Sequence, residues 1–324
     1  MKAIVANRPG GVEVMEMIDL PEPVAGPGQV LIEVAAAGVN FMDIGVRRGT
    51  LGRNTEYPQI FGVEGAGRVA QIGPGVEDFV PGQRVAWTYA PGSYAERVAI
   101  AADALVAVPE QVTDHQAAAL MMQGLTASHF ATDFYPAQPG EIALVHAAAG
   151  GVGQLLTQII KLRGGKVIGR VSSAAKADAA RLAGADHVIV DAGSNFADEA
   201  IRLSGGEGVH VVFDGSGPTT FAGSVAALRR SGTFCWYGPV LGGAEPIDLM
   251  SLPKSIKIGF AAFFDHIHTP ALLRSHAAQL FDWLKNGDIK VDIGGCYPMA
   301  DAAAAHAAME NRSTTGKLLL VPGL

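Results

Sequence analysis

The chain has 324 residues, 49% of them hydrophobic and only 17% charged, with a formal net charge of −7. That length holds two domains with cores of their own, the apolar content excludes a disordered chain, and the acidic balance without a dense Lys/Arg run argues against a nucleic-acid surface. The two cysteines, Cys235 and Cys296, exclude a disulfide framework and a four-cysteine zinc lobe, and their apolar neighbours predict that both are buried.

The N-terminus runs straight into a strand pattern, Lys2–Ala6, without the cationic stretch and apolar core of a signal peptide. No uncharged apolar run reaches about 18 residues, so no membrane span is expected and the chain reads as cytoplasmic. Up to residue 120 or so, short β patterns at 30–36, 67–72, 84–87 and 95–100 are separated by turn signals such as Gly26-Pro27-Gly28, Gly73-Pro74-Gly75 and Pro81-Gly82. That spacing predicts a partly open β barrel. The texture then changes. Apolar strand-like runs at 142–147, 166–171, 187–190, 208–213 and 232–237 alternate with helical patterns at 152–163, 174–183, 195–204 and 218–229. Alternation of this kind implies right-handed crossovers and a parallel sheet covered on both faces, with 256–262 as a possible further strand. After residue 263 a helix (270–286), a strand (292–297), an Ala-rich helix (300–311) and a last strand (Lys317–Val321) follow. This tail is too small for its own core and is expected to rejoin the N-terminal domain.

Between the strand at 142–145 and the helix at 152–162 lies His146-Ala147-Ala148-Ala149-Gly150-Gly151-Val152-Gly153. Strand, glycine turn and helix N-terminus are what a dinucleotide pyrophosphate needs. Gly150 and Gly151 let the backbone approach, the helix offers N–H groups and a partial positive charge, and Gly153 lets helix and strand pack closely. An ordinary tight turn would read the same way on glycines alone, so the flanking pattern matters.

The second strand of the parallel sheet, 166–171, and the residues after it carry no Asp or Glu from Lys166 to Ala177. An acid there would bind the ribose hydroxyls of NAD. Instead Ser172 and Ser173 supply hydroxyls, and Arg170 and Lys176 supply positive charge. A 2′-phosphate wants that set, so NADPH is expected over NADH. A solvated Lys176 and serines that cap the next helix form the competing reading; capping and phosphate contact are compatible.

The β-rich start, Gln123-Gly124-Leu125-Thr126-Ala127, the glycine turn and the returning C-terminal segment together resemble the medium-chain dehydrogenase/reductase superfamily. Within it the chain is most similar to the zinc-free NADPH:quinone oxidoreductase branch, which includes zeta-crystallin. Gly38-Val39-Asn40-Phe41-Met42-Asp43, Gly62-Val63-Glu64-Gly65-Ala66-Gly67 and Asn311-Arg312-Ser313-Thr314-Thr315-Gly316-Lys317 carry that resemblance. The zinc-dependent branch would place a cysteine where Asn40 stands and a histidine where Val63 precedes Glu64. The resemblance implies an α/β protein with a GroES-like, partly open barrel domain over 1–120 and 263–324 and a doubly wound Rossmann domain over 121–262. It implies that Asn40, Gln123 and Thr126 lie near the nicotinamide and its ribose, and that Ala149, Gly150, Gly151 and Val152 hold the pyrophosphate. Ser173, Lys176 and Arg312 would face the 2′-phosphate, Tyr237 would pack near the cofactor, and the protein would be a homodimer, with residues 256–262 as a pairing edge. Some members carry tyrosines where Gly45 and Leu51 stand here, so a wider, less polar pocket is expected. A further tyrosine is replaced by Asp191, an unfavourable neighbour for a phosphate.

With no catalytic metal expected, an alkoxide has no Lewis acid, and reduction of an already activated small-molecule acceptor is favoured. A quinone is the first choice and an enal or enone the second; a cofactor-binding protein with little turnover is the reading from another class. Asn40 is the candidate hydrogen-bond donor or positioner, against a structural amide capping a helix at 41–48. Asp43 reads as a first-turn acid or a partner of Arg47. No nucleophile elbow, P-loop or His-Glu-x-x-His occurs. His266 and His268, with His276 beyond, read as solvated loop histidines without a third metal ligand.

Overall fold

The computed structural model describes residues 1–51, 56–193, 195–238 and 246–324. They form two compact units: Met1–Met122 with Ile267–Asn286 and Ile293–Leu324, and Gln123–His266 with Gly287–Asp292.

The second unit is built on a six-stranded parallel sheet. Its strands in chain order are Ile142–Val145, Lys166–Val171, His187–Val190, Val209–Asp214, Leu228–Trp236 and Lys257–Phe260, and numbered in that order they lie 3-2-1-4-5-6 across the sheet. The order reverses between the first and fourth strands, the place where doubly wound sheets bind ligands at their carboxyl ends. The strands are nearly continuous apolar runs because helices such as Gly151–Leu162 and Pro218–Ala227 cover both faces; Leu144, Ile168, Val212 and Phe234 are at most 1% exposed. Residues 287–292 sort with this unit because Gln158 and Lys290 exchange two hydrogen bonds (3.0 and 2.7 Å) and Gln154 Nε2 donates to Asp292 (2.8 Å).

In the first unit the strand Gln29–Gly38 is central. It pairs antiparallel with Glu64–Ile72, Arg97–Ala101 and Lys317–Val321. Register shifts at Leu31/Ile32 and Val34/Ala36 mark bulges that bend it, as a curling sheet requires. The C-terminal tail joins this sheet through Leu319 opposite Gly38 and Leu320 opposite Ala37, with Ile293–Pro298 parallel beside it.

Three short strands, Glu16–Asp19, Gln59–Ile60 and Leu105–Ala107, lack a sequence pattern long enough to announce them. The helical run at 174–183 is a 3-10 turn, Ala174–Lys176, followed by Ala177–Leu182. The helix Asp114–His129 continues into an unpredicted π-helical turn, Phe130–Phe134. Cys235 is buried as expected, but Cys296 is exposed. It lies on the sheet's edge strand, where alternate residues point to solvent, so an apolar neighbourhood in sequence did not mean burial. Among the described residues no helix is long and apolar enough to cross a membrane.

Candidate functional site

In the second unit the glycine turn follows the first sheet strand. Ala147 takes φ 50°, and Gly150 N–H closes the turn on Ala147 O at 2.8 Å. Gly150 is the N-cap of the helix Gly151–Leu162, whose first N–H groups have no partner within the helix. A Cβ at Gly153 would lie 2.4 Å from Ala147 O and 2.7 Å from Ala148 Cα, both backbone, so only glycine allows the helix this close to the turn. A Cβ at Gly150 would meet only Ala147 O, at 3.3 Å, whereas one at Gly151 would lie 1.7 Å from the Gln123 carboxamide. The turn and Gln123 are therefore in contact, and Gly150 and Gly151 present backbone rather than side chain. Thr126 sits one turn beyond Gln123 on the same helix. Tyr237 follows the fifth strand, its ring 4.6 Å from that of Phe130 and close against Gly215; desolvation pushes its hydroxyl pKa far above the usual phenol.

Ser172 is exposed, and Ser173 and Lys176 are half-buried, around the first turn after the second strand. Arg170 does not join them. Its Nε and Nη2 donate to Asp191 Oδ2 (3.3 Å each), Nη2 also donates to Gly193 O, and its guanidinium stacks 4.7 Å from the centre of the Phe196 ring. One of the two cations read from the sequence is thus already committed, and the same pair compensates the charge of Asp191. Arg170 Nη1 also lies 3.2 Å from His146 Nδ1, which must accept. His146 then donates from Nε2 to Ser224 Oγ (3.0 Å), which donates to Asp214 (2.8 Å). Desolvation in this buried network pulls the His146 pKa down to about 4, so the ring is neutral and braces the strand ends under the turn.

In the first unit Asn40 caps the helix Phe41–Arg47, its backbone N–H donating to Asp43 Oδ2 at 2.8 Å. The Asn40 amide is held on every side: Nδ2 donates to Gly38 O (3.3 Å) and Glu64 Oε2 (3.0 Å), and Oδ1 accepts from Lys317 Nζ (2.7 Å). Lys317 also pairs with Glu64 at 2.5 Å, while Glu64 Oε1 accepts Met122 N–H at 2.6 Å; both charged side chains are fully buried. Gly38 is needed here, since a Cβ would come within 2.3 Å of Glu64 Oε2.

A second buried network adjoins it. Arg47 donates to His306 Nδ1 (3.1 Å), so His306 donates from Nε2 to Tyr94 OH (3.0 Å), and Tyr94 donates to Asp43 Oδ2 (3.1 Å). Arg47 pairs with Glu310 rather than Asp43. Desolvation lifts the Asp43 pKa to about 7 and lowers that of His306 to about 3. Leu51 takes the space expected to be open at Gly45: a Cβ there would meet Leu51 Cδ1 at 2.6 Å.

Residues 26–110 match the family described as "Alcohol dehydrogenase GroES-like domain" and 151–275 the one described as "Zinc-binding dehydrogenase". Quinone oxidoreductase 1 of Escherichia coli is 33% identical over 98% of both chains, and the 2-haloacrylate reductase of a Burkholderia species 34% identical over 99% of this chain and 98% of its own. The chain belongs to the quinone-oxidoreductase branch of the medium-chain dehydrogenase/reductase superfamily. Among solved structures of similar proteins, E. coli quinone oxidoreductase complexed with NADPH superposes with a TM-score of 0.95 at 32% identity, covering 99% of this chain and 100% of the other. A mycobacterial protein complexed with NADPH gives 0.94 at 38% identity and the same coverage.

In this quinone-oxidoreductase-branch chain, Glu64 and Lys317 were visible in the sequence only as members of motifs. Lys317 is separated from Asn40 by most of the chain, and only the closure of the tail strand onto Gln29–Gly38 brings them together. Arg312 ends the helix Ala302–Glu310 region in the first unit, exposed, with φ 52°. His268 is exposed, but His266 is not a solvated loop residue. It is 3% exposed and pairs with Asp133 through Nδ1 and Oδ2 at 2.7 Å. The sequence reading missed this because Asp133 lies far back in the chain.

Proposed function

We propose that the protein reduces quinones with NADPH, without a catalytic metal. The NADPH-complexed branch members at TM-scores of 0.94 and 0.95, together with a glycine turn that presents bare backbone at a helix N-terminus, carry this reading. The cofactor, when bound, supplies hydride from the nicotinamide. Ala149, Gly150, Gly151 and Val152 hold the pyrophosphate, and Ser172, Ser173, Lys176 and Arg312 read the 2′-phosphate. Gln123, Thr126 and Tyr237 fix the nicotinamide end. Asn40, with both amide hydrogens already engaged, acts as a positioner of the acceptor rather than a free donor, and Lys317 and Glu64 lock its orientation. Rate then comes from holding donor and acceptor together in a dry pocket.

The similarity to a 2-haloacrylate reductase supports a second reading, reduction of activated C=C bonds in enals, enones or haloacrylates. A cytoplasmic homodimer is the expected form. NADPH oxidation measured against quinone, enone and 2-haloacrylate acceptors, with and without a chelator, decides the matter. The expected result is kcat/KM at least about tenfold higher for quinones, unchanged by chelation. Preference for the C=C acceptors would establish the second reading, and no turnover with any acceptor would overturn both.

A further inference from the structure

We propose that His129, Asp133 and His266 form a binding site for a late first-row divalent cation, with Zn2+ the fitting occupant, which clamps the turn Phe263–His266 to the end of the helix Asp114–His129. Their ligand atoms all lie within 4.8 Å of one another. His129 is the last residue of that helix and Asp133 falls in the π-helical turn that follows, so the two stand four apart on one side of a continuous helical path. A π-turn of this kind widens the helix and is common where side chains are re-aimed at a site. His266 enters from the turn Phe263–His266.

The three side chains converge closely enough to hold one ion. His266 Nδ1 and Asp133 Oδ2 are already 2.7 Å apart, and the His129 ring lies beside that of His266 with centroids at 5.0 Å and planes tilted by 37°. An ion bonded at about 2.0–2.1 Å to each nitrogen and about 2.0–2.2 Å to oxygen would set ligand atoms about 3.4 Å apart in a tetrahedron. Reaching that changes ligand-atom separations by at most about 1.4 Å, within the reach of side-chain rotation. The two imidazoles are buried, at 9% and 3% exposure, with the Phe130 and Phe134 rings beside His129. Asp133, with its side chain 51% exposed, is the open side through which an ion enters and a water completes the coordination. Two imidazoles and a carboxylate select zinc and its neighbours over calcium or magnesium. No step of hydride transfer passes through this site.

The test is zinc titration of the untagged full-length protein by calorimetry, with Co2+ absorption in the visible to report imidazole and carboxylate ligation. Wild type is expected to bind one Zn2+ per chain, and His129→Gln, His266→Gln and Asp133→Asn each to weaken it about a hundredfold or more, since even outer residues of metal sites cost 10–100-fold. Asp133→Asn changes a half-exposed side chain and keeps the test valid if a histidine variant folds poorly. Absence of binding at 0.1 mM (roughly the weakest affinity a built site would show), or a loss under about tenfold in the variants, overturns the proposal. NADPH affinity serves as the control and is expected to be unchanged in all three variants, so failure here is separable from failure of the reductase reading.

Discussion

Of the residues proposed to bind the 2′-phosphate, Ser172, Ser173 and Lys176 follow directly on the second strand of the parallel sheet. The hydroxyl and cation pattern after the second strand was legible because a missing acid is visible in one dimension. The commitment of Arg170 to Asp191 was not, because it depends on two adjacent parallel strands bringing their ends together. Lys176 and Arg312 are the cations proposed to discriminate between cofactors. Lys176→Ala and Arg312→Ala are expected to weaken NADPH binding roughly ten- to a hundredfold and to leave NADH binding unchanged, as paired dissociation constants would show. Equal losses for both cofactors would make these residues supports of the fold. Asp43 offers a separate test. Its folded pKa of about 7 lies above the usual value of 3.8, so the native state holds a proton that the unfolded chain has lost. Stability from this group is complete below pH 3.8 and is lost as pH rises toward about 7. His306, with its pKa near 3, has the opposite slope in acid: it stays neutral in the fold and costs stability as pH falls below its ordinary 6.5. Asp43→Asn removes one slope and leaves the other. Its stability relative to wild type is expected to rise between pH 4 and 7 by up to about 4 kcal/mol, measured by urea unfolding at several pH values.

At the level of elements, the parallel sheet and its helices could be read closely from periodicity, because strands buried on both faces are unbroken apolar runs. The helix Pro270–Asn286 and the strand Lys317–Val321 fall where their patterns put them. The glycine turn was legible as a type, and the structure divides the labour among its glycines. Gly153→Ala is expected to destabilise the protein by about 1–3 kcal/mol, because the new Cβ meets rigid backbone. Gly151→Val meets only the movable Gln123 carboxamide, so its expected signature is normal stability with weakened cofactor binding. Thermal unfolding beside NADPH titration separates the two, and normal NADPH affinity in Gly151→Val would remove the turn from the cofactor site. The short strands and the π-helical turn escaped because each depends on neighbours distant in sequence, not on a local period.

For the whole molecule, the sixth strand, Lys257–Phe260, is an edge of its sheet among the described residues; Phe260 on it is 67% exposed, and Leu249 and Met250, earlier in the chain, are 72% and 93% exposed. An edge strand is a ready template for pairing, and exposed apolar patches mark interaction surfaces. Sedimentation is expected to show a particle of twice the 33.5 kDa chain mass, and Phe260→Glu to shift it toward monomer; a wild-type monomer would refute the homodimer. The fully buried Lys317–Glu64 pair has a reach beyond stability. Lys317→Met would strand a buried carboxylate and is expected to cost about 3–5 kcal/mol in unfolding free energy. The ammonium touches Asn40, which stands where the zinc-dependent branch would carry a cysteine, and Glu64, the neighbour of Val63, where that branch would carry a histidine. A positive charge written into the polypeptide cannot be stripped by a competitor or left unfilled when metal is scarce. With respect to that charge the molecule has no unloaded form. Every copy that folds carries it from synthesis onward, and its supply is set by translation alone.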